Sequence, residues 1–405
     1  MNRYEPYLKW IYGHKKEMAS RVEQWANIHS GSNHLEGLHT MLSALEEAFA
    51  TLGGSIAALP LPPRKRLISE GTTVEEPLGK ALLLSKHPDA QRQVFLGGHM
   101  DIALKKGQPL EPCQLIGKDR LCGRGTADMK GGLVILLTAL QALEKSPFSG
   151  QIGWKVLITP DEELGSPGSH ELLVKESASC QLGLLFEPSL PNGALVSSRK
   201  GSVNYTLVVQ GIASHSGRDF HLGKNAITSL ARIAVAAENL TDPDKDITVN
   251  IGHIEGGGTI NIVPDRASCL MNLRVKTHQD LAMVKEELEK ACNEEREQKG
   301  VAVILHQDSE RFPKPLDEHT QALLNNLQSC ASQLGFTLEW ESTGGVCDGN
   351  TLAHEGLPTI DTLGVIGGNL HTKEEYMMIP SLVERSLLAA KFLMHLADER
   401  SPIPS

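Results

Sequence analysis

Histidines and acidic residues recur in this chain in short polar motifs. They are His99 and Asp101 in G-G-H-M-D (97–101), Asp128 in G-R-G-T-A-D-M-K-G-G (123–132), Asp161, Glu162 and Glu163 in D-E-E-L-G-S (161–166), Glu187 in F-E-P-S (186–189) and His371 in L-H-T-K-E-E-Y (370–376). Imidazole and carboxylate together are donors for divalent metal. Two imidazoles with three carboxylates exceed what one tetrahedral ion takes and suit two ions sharing a bridging carboxylate. Each ion then has one imidazole, one terminal carboxylate and one oxygen of Asp128. The mixture suits Zn²⁺ best, with Mn²⁺ or Co²⁺ as alternatives. Asp101, two residues beyond His99, is placed to accept the second ring N–H and fix the tautomer. Singly, each motif has a plainer reading: Asp128 as the cap of a tight turn, 161–163 as a solvated acidic turn.

Convergence requires these side chains to leave one edge of one sheet, at the carboxyl ends of its strands. The flanking sequence supplies such a sheet. Apolar runs at 81–85, 93–96, 152–159 and 182–186 read as strands, and 132–145 and 169–177 as helices between them. Helical spacing also marks 15–29 and 35–52. This alternation predicts an α/β fold, a sheet with helices on both faces. From about residue 199 the texture changes. Strands at 203–210, 248–255, 266–275 and 301–307 and amphipathic helices at 224–240 and 278–299 follow the order β-α-β-β-α-β, a ferredoxin-like α+β unit. The first pattern then resumes with helix 317–334, strand 337–341, helix 349–355, strand 359–362 and helix 381–397. The expected division is 1–198 with 312–405 as a discontinuous catalytic unit and 199–311 as an insert. Residues 311–316 (R-F-P-K-P-L) read as the return linker and 401–405 as a loose tail.

A chain of 405 residues accommodates two or three domains. Its net charge of −10 offers no broad cationic surface, so neither nucleic acid nor a membrane surface is an expected partner. Residues 1–16 lack the apolar core of a secretory signal, and the apolar stretch 132–140 is short of the ~20 residues that span a bilayer. Seven cysteines, odd in number and without a C-x-x-C pair, read as reduced thiols of a soluble cytoplasmic protein.

The five motifs, with A-S-H-S-G (213–217) and N-I-V-P-D (261–265), run in an order that resembles the M20 metallopeptidases. These are dinuclear zinc amidohydrolases, and the likeness is strongest to glutamate carboxypeptidases of the carboxypeptidase G2 type. The resemblance implies a catalytic α/β domain interrupted by a smaller dimerisation and lid domain, through which the chain forms a homodimer. It implies two zinc ions per subunit, His99 and Glu187 on one, Glu163 and His371 on the other, Asp128 bridging. Asp101 supports His99, Glu162 is the general base, and His215 polarises the substrate carbonyl from the partner subunit. Arg274 grips a free carboxylate with Asn261 nearby, and Gly344 and Gly345 bring backbone close to it. Without the resemblance His215 is a surface residue of a Ser-rich turn and Arg274 an exposed strand residue. The implied substrate is a small peptide or N-acyl amino acid with a free carboxylate. A carboxypeptidase comes first and a deacylase of the acetylornithine or succinyl-diaminopimelate kind second. A metal- or peptide-binding relative without catalysis is disfavoured by the presence of Glu162 beside all five ligands. The loops S-R-K-G (198–201), R-D-F-H-L-G (218–223) and V-C-D (346–348) depart from the family pattern where specificity is shaped.

Overall fold

Strands buried on both faces read as unbroken apolar runs, and three such runs form the centre of the main sheet. In the computed structural model, which describes residues 3–398, its order is Ser55–Leu59, Ala81–Lys86, Gly153–Thr159, Gln93–His99, Leu182–Leu185 and Thr359–Ile360. The tail 401–405 lies outside the described residues. The last four strands run parallel and the first two join antiparallel, giving a mixed sheet. Alternation sorts the side chains: Val94, Leu96, Val156, Ile158 and Leu184 face the core under Gly132–Glu144 and Ile379–Ala397. Phe95, Leu157 and Leu185 meet Leu173 and Leu352 of helices His170–Ser177 and Asp348–His354 on the other side. Helices thus cover both faces, as the alternation predicts.

The segment Thr126–Glu144 has the length and hydropathy of a membrane span, but 94% of its window is buried inside the protein, which is the signature of a core helix. Helices Lys15–Ala26 and Leu35–Ala50 bury one stripe each, Met18, Val22 and Trp25 in the first and Leu38, Met41, Leu45 and Phe49 in the second. A helix at Glu5–Gly13, not anticipated from sequence, precedes them.

A second sheet, order Thr248–Gly256, Arg266–Val275, Gly201–Gln210, Ala302–Arg311, is antiparallel throughout. Helices Ala226–Glu238 and His278–Lys299 cover one face over a separate core that includes Val203, Leu207, Leu230, Ile233, Val284 and Leu288. This is the β-α-β-β-α-β unit. The last strand is longer than expected and ends at Arg311, the first residue of the expected return linker 311–316. Arg311 and Lys314 are both buried, because each has a buried aspartate to pair with. A hairpin of Arg64–Leu67 with Thr73–Glu76, also unanticipated, lies between the two units. All seven cysteines are free.

Candidate metal centre

Most donors of the sequence-derived pool sit where a strand or helix begins or ends, and His371 lies in a turn between Gly367–Gly368 and Tyr376–Met378. His99 closes Gln93–His99 and is buried. Asp128 lies in an irregular turn, 126–131, that opens the buried helix Gly132–Glu144, and a cis peptide joins it to Met129. Glycine is required where that helix starts, since a Cβ on Gly132 would stand 1.8 Å from the Phe186 carbonyl oxygen. The close approach brings Asp128 beside Glu187. Glu162 and Glu163 occupy a single 3₁₀ turn, Glu162–Leu164, and point to different partners. His371 is held with φ +62, a left-handed conformation uncommon outside glycine.

The geometry has a two-fold pattern. Asp128 Oδ1 lies 3.0 Å from His99 Nε2, and its Oδ2 lies 3.2 Å from His371 Nε2. A second carboxylate stands beside each imidazole: Glu187 Oε2 at 3.7 Å from His99 Nε2, and Glu163 Oε2 at 3.3 Å from His371 Nε2. The other nitrogen of His99 lies 3.3 Å from Asp101 Oδ1. Asp101 also accepts from Ser32 Oγ at 2.7 Å and from the backbone N–H groups of Glu162 and Glu163, at 3.3 and 3.1 Å. One carboxylate therefore orients the histidine and the acidic turn together.

This donor set fits divalent metal. Ligand atoms of His99, Asp128 and Glu163 all fall within 4.8 Å of one another. Oε1 of Glu163 is buried without a hydrogen-bond partner, which disfavours a carboxylate unless a cation or a proton compensates it. Electrostatics agree. Burial raises the pKa values of Glu162, Glu163 and Glu187, the first two strongly. Burial opposes an imidazolium at His99, but Glu187, Asp101 and Asp128 outweigh it and hold its pKa well above the ordinary value. Burial also acts against the Asp128 carboxylate, yet the two imidazoles keep its pKa below the usual range. The site, rich in negative charge, thus favours bound cations, and a metal ion competes with protons for the same lone pairs.

Several supporting residues escaped the sequence reading. Glu375 is buried and accepts from the backbone N–H groups of Ala127 and Asp128, both at 3.0 Å, fixing the Asp128 turn. Burial pushes its carboxyl up to about 7. Lys130 Nζ is buried and donates to Ser30 Oγ and the Met100 carbonyl at 2.6 and 2.7 Å, joining the same turn to the strand end. Arg199 forms a bidentate pair with Asp361 at 2.8 and 3.0 Å, and Lys314 joins the same carboxylate at 2.7 Å. Asp161, by contrast, was in the sequence-derived donor pool, but it accepts from Ser169 Oγ and from the N–H groups of Gly168 and Ser169, which makes it a loop anchor.

A cleft of about 420 Å³ opens beside these groups, lined among others by Glu162, Glu163, His371, Arg274 and Gly345. Arg274 donates to the Gly344 carbonyl at 2.6 Å and to Asn272 Oδ1 at 3.1 Å. His215 and Asn261 do not join them. His215 is exposed and pairs with Ile262 in a short ribbon, and the Asn261 carbonyl accepts from Ser216 N, so the two stand together outside the lining of this cleft. The expectation that Asn261 accompanies Arg274 does not hold within one chain, because the ribbon carries it elsewhere.

Comparison with known proteins agrees with the fold. Residues 95–395 match the model of peptidase family M20/M25/M40, and the chain belongs to that family. It is a hydrolase acting on amide bonds, and its family is metal-dependent. It is 28% identical to carboxypeptidase G2 of Pseudomonas sp. (strain RS-16) over 93% of this chain and 88% of the relative. A succinyl-diaminopimelate desuccinylase of Hahella chejuensis is also 28% identical, over 68% of this chain and 74% of its own. The solved M20 family metallo-carboxypeptidase Sso-CP2 of Sulfolobus solfataricus superposes with a TM-score of 0.71 at 18% identity, covering 94% of this chain and 99% of the other.

Proposed function

We propose that the chain is a dinuclear zinc hydrolase that cleaves the amide bond of a small peptide or N-acyl amino acid bearing a free carboxylate, as a carboxypeptidase. The observation that carries this reading is Asp128, whose two oxygens each face a different imidazole, each imidazole having its own further carboxylate. His99 with Glu187 would hold one ion and His371 with Glu163 the other, Asp128 bridging; Mn²⁺ or Co²⁺ are compatible with the same donors. Bound there, the ions supply Lewis acidity toward water and the scissile carbonyl. Glu162 neighbours the centre without facing either imidazole and is held by Arg311 at 3.4 Å, and its carboxylate takes a proton from water and delivers it to the leaving amine. Burial, with Glu187 nearby, raises its pKa well above the ordinary carboxyl value, which strengthens it as a base. Arg274 is the cation for the substrate carboxylate, with Gly344 and Gly345 beside it.

In this reading 1–198 and 312–405 form the catalytic unit and 199–311 the dimerisation and lid unit. His215 acts in the partner's site in a homodimer. Its exposure supports this, as do the exposed Ile212, Phe220, Leu222, Ile254 and Ile260 of the same unit. A desuccinylase-like deacylase is the second reading, favoured by the match to that enzyme. Assays on dipeptides and N-acyl amino acids, with and without chelator, test the proposal. Chelator-sensitive release of an amino acid is expected; release that ignores the chelator would sink it.

A further inference from the structure

Most charged groups around the cleft answer to one another. Glu163 faces His371, and Arg311 engages Asp348 and Glu162. Two guanidinium groups do not. Arg274 bonds only to a carbonyl and a side-chain amide, both neutral, and burial lowers its pKa with no carboxylate to offset it. Arg64 has a buried Nε without a hydrogen-bond partner. Its cross-strand neighbour is Glu76, but that carboxylate is taken by Arg66 at 3.0 Å. A buried donor without an acceptor is costly, and an anionic ligand would remove that cost.

Arg64 stands at a junction. It lines the 420 Å³ cleft and also a second cavity of about 310 Å³ against the open face of the inserted sheet, and Leu164, Asn204, Asn272 and Ser309 are common to both. The second cavity has a mixed wall, with Leu67, Leu270 and Met271 beside Thr206 and Asn250; its other charged side chains are Arg66, paired with Glu76, and Asp308, which accepts from Thr206 Oγ1 at 2.7 Å. The hairpin carrying Arg64 is held at both ends. Leu61, just before it, packs close to Gly168, while Gly71 at its tip sits so near Gln210 on the inserted sheet that a Cβ there would be 2.2 Å from Nε2.

We infer that Arg64 is a specificity residue: it receives a second carboxylate on substrates whose first carboxylate lies at Arg274, so the site selects doubly anionic amides. The guanidinium fork is matched to a carboxylate, and its fixed position sets the distance at which the second anion must lie. The word substrate rests on the hydrolase reading, but the selection itself is a property of binding.

The test is calorimetric binding to the full zinc-loaded chain, with matched pairs differing by one carboxylate: glutarate against butyrate, and N-acetylglutamate against N-acetylglutamine. Wild type should favour the dianion by about ten-fold or more; Arg64→Ala should abolish that preference, and Arg64→Lys, which keeps the charge without the fork, should retain part of it. Where turnover of the second pair is measured, the loss belongs in KM of the dianion rather than in kcat. Equal affinity within each wild-type pair, no binding of either dianion, or an equal loss for both members in Arg64→Ala overturns the inference. Failure of the hydrolase reading would look different: no chelator-sensitive turnover, with charge selection in binding intact.

Discussion

Arg311, the last residue of the strand Ala302–Arg311, places Nη2 3.4 Å from Glu162 Oε1 and 2.7 Å from Asp348 Oδ1. The inserted sheet therefore ends against the carboxylate proposed as general base. Replacing Arg311 by Met leaves Asp348 buried and unpaired and frees Glu162. We expect a stability loss of about 3–5 kcal/mol, the usual cost of breaking a buried ion pair, together with a lower kcat. Denaturant midpoints and steady-state kinetics would show both; a stable, fully active Arg311→Met enzyme would mean that the pair positions nothing.

Glu162→Gln keeps the shape of the side chain and removes its basicity. Metal content should match wild type while kcat falls about 10²-fold or more. Unchanged turnover would remove Glu162 from the mechanism.

Asp101 holds His99 from one side and the 162–164 turn from the other. Asp101→Asn should weaken zinc affinity by about 10–100-fold, since a lost partner on the second imidazole nitrogen leaves the ligand free to rotate. Competition with a chromogenic chelator measures this, and an unaltered affinity would show that the histidine is oriented by other contacts.

Asp361, which is not among the proposed ligands, gives a pH prediction. It is buried; burial acts to raise its pKa, but Arg199 and Lys314 win and lower it from 3.8 to about 2. A depressed carboxyl binds fewer protons in the native state. Its contribution, about 2 kcal/mol, is present above pH 4 and fades as the pH falls toward 2. Asp361→Asn should thus be markedly less stable than wild type at pH 7, with the difference narrowing on acidification below pH 4. A difference independent of pH would contradict the assignment.

Much of this was legible in the sequence, for physical reasons. Strands buried on both faces are unbroken apolar runs, so the ends of Gln93–His99 and Leu182–Leu185 could be located, and with them His99 and Glu187. The inserted unit was equally readable, because its strands and helices have clean periods. What was missed acts through position. Glu375 lies in a charged run and works by accepting backbone N–H groups, which no side-chain pattern records. Lys130 went unremarked within the Asp128 motif and Arg311 read as the start of a linker, yet each is buried among acceptors supplied by distant segments. Arg64 begins R-K-R-L, a basic stretch after prolines whose pairing depends on the hairpin across from it. Asn261 was expected beside Arg274 but stands with His215 outside the cleft of its own chain, and His215 was expected to act from the partner subunit.

The central claim is that Asp128 bridges two ions, and zinc stoichiometry tests it most directly. Metal-stripped protein titrated with zinc should take up two equivalents per chain. His99→Ala and His371→Ala should each weaken one of the two, whereas Asp128→Ala should impair both. One equivalent in wild type, or an Asp128→Ala protein that still binds two ions tightly, would contradict the account.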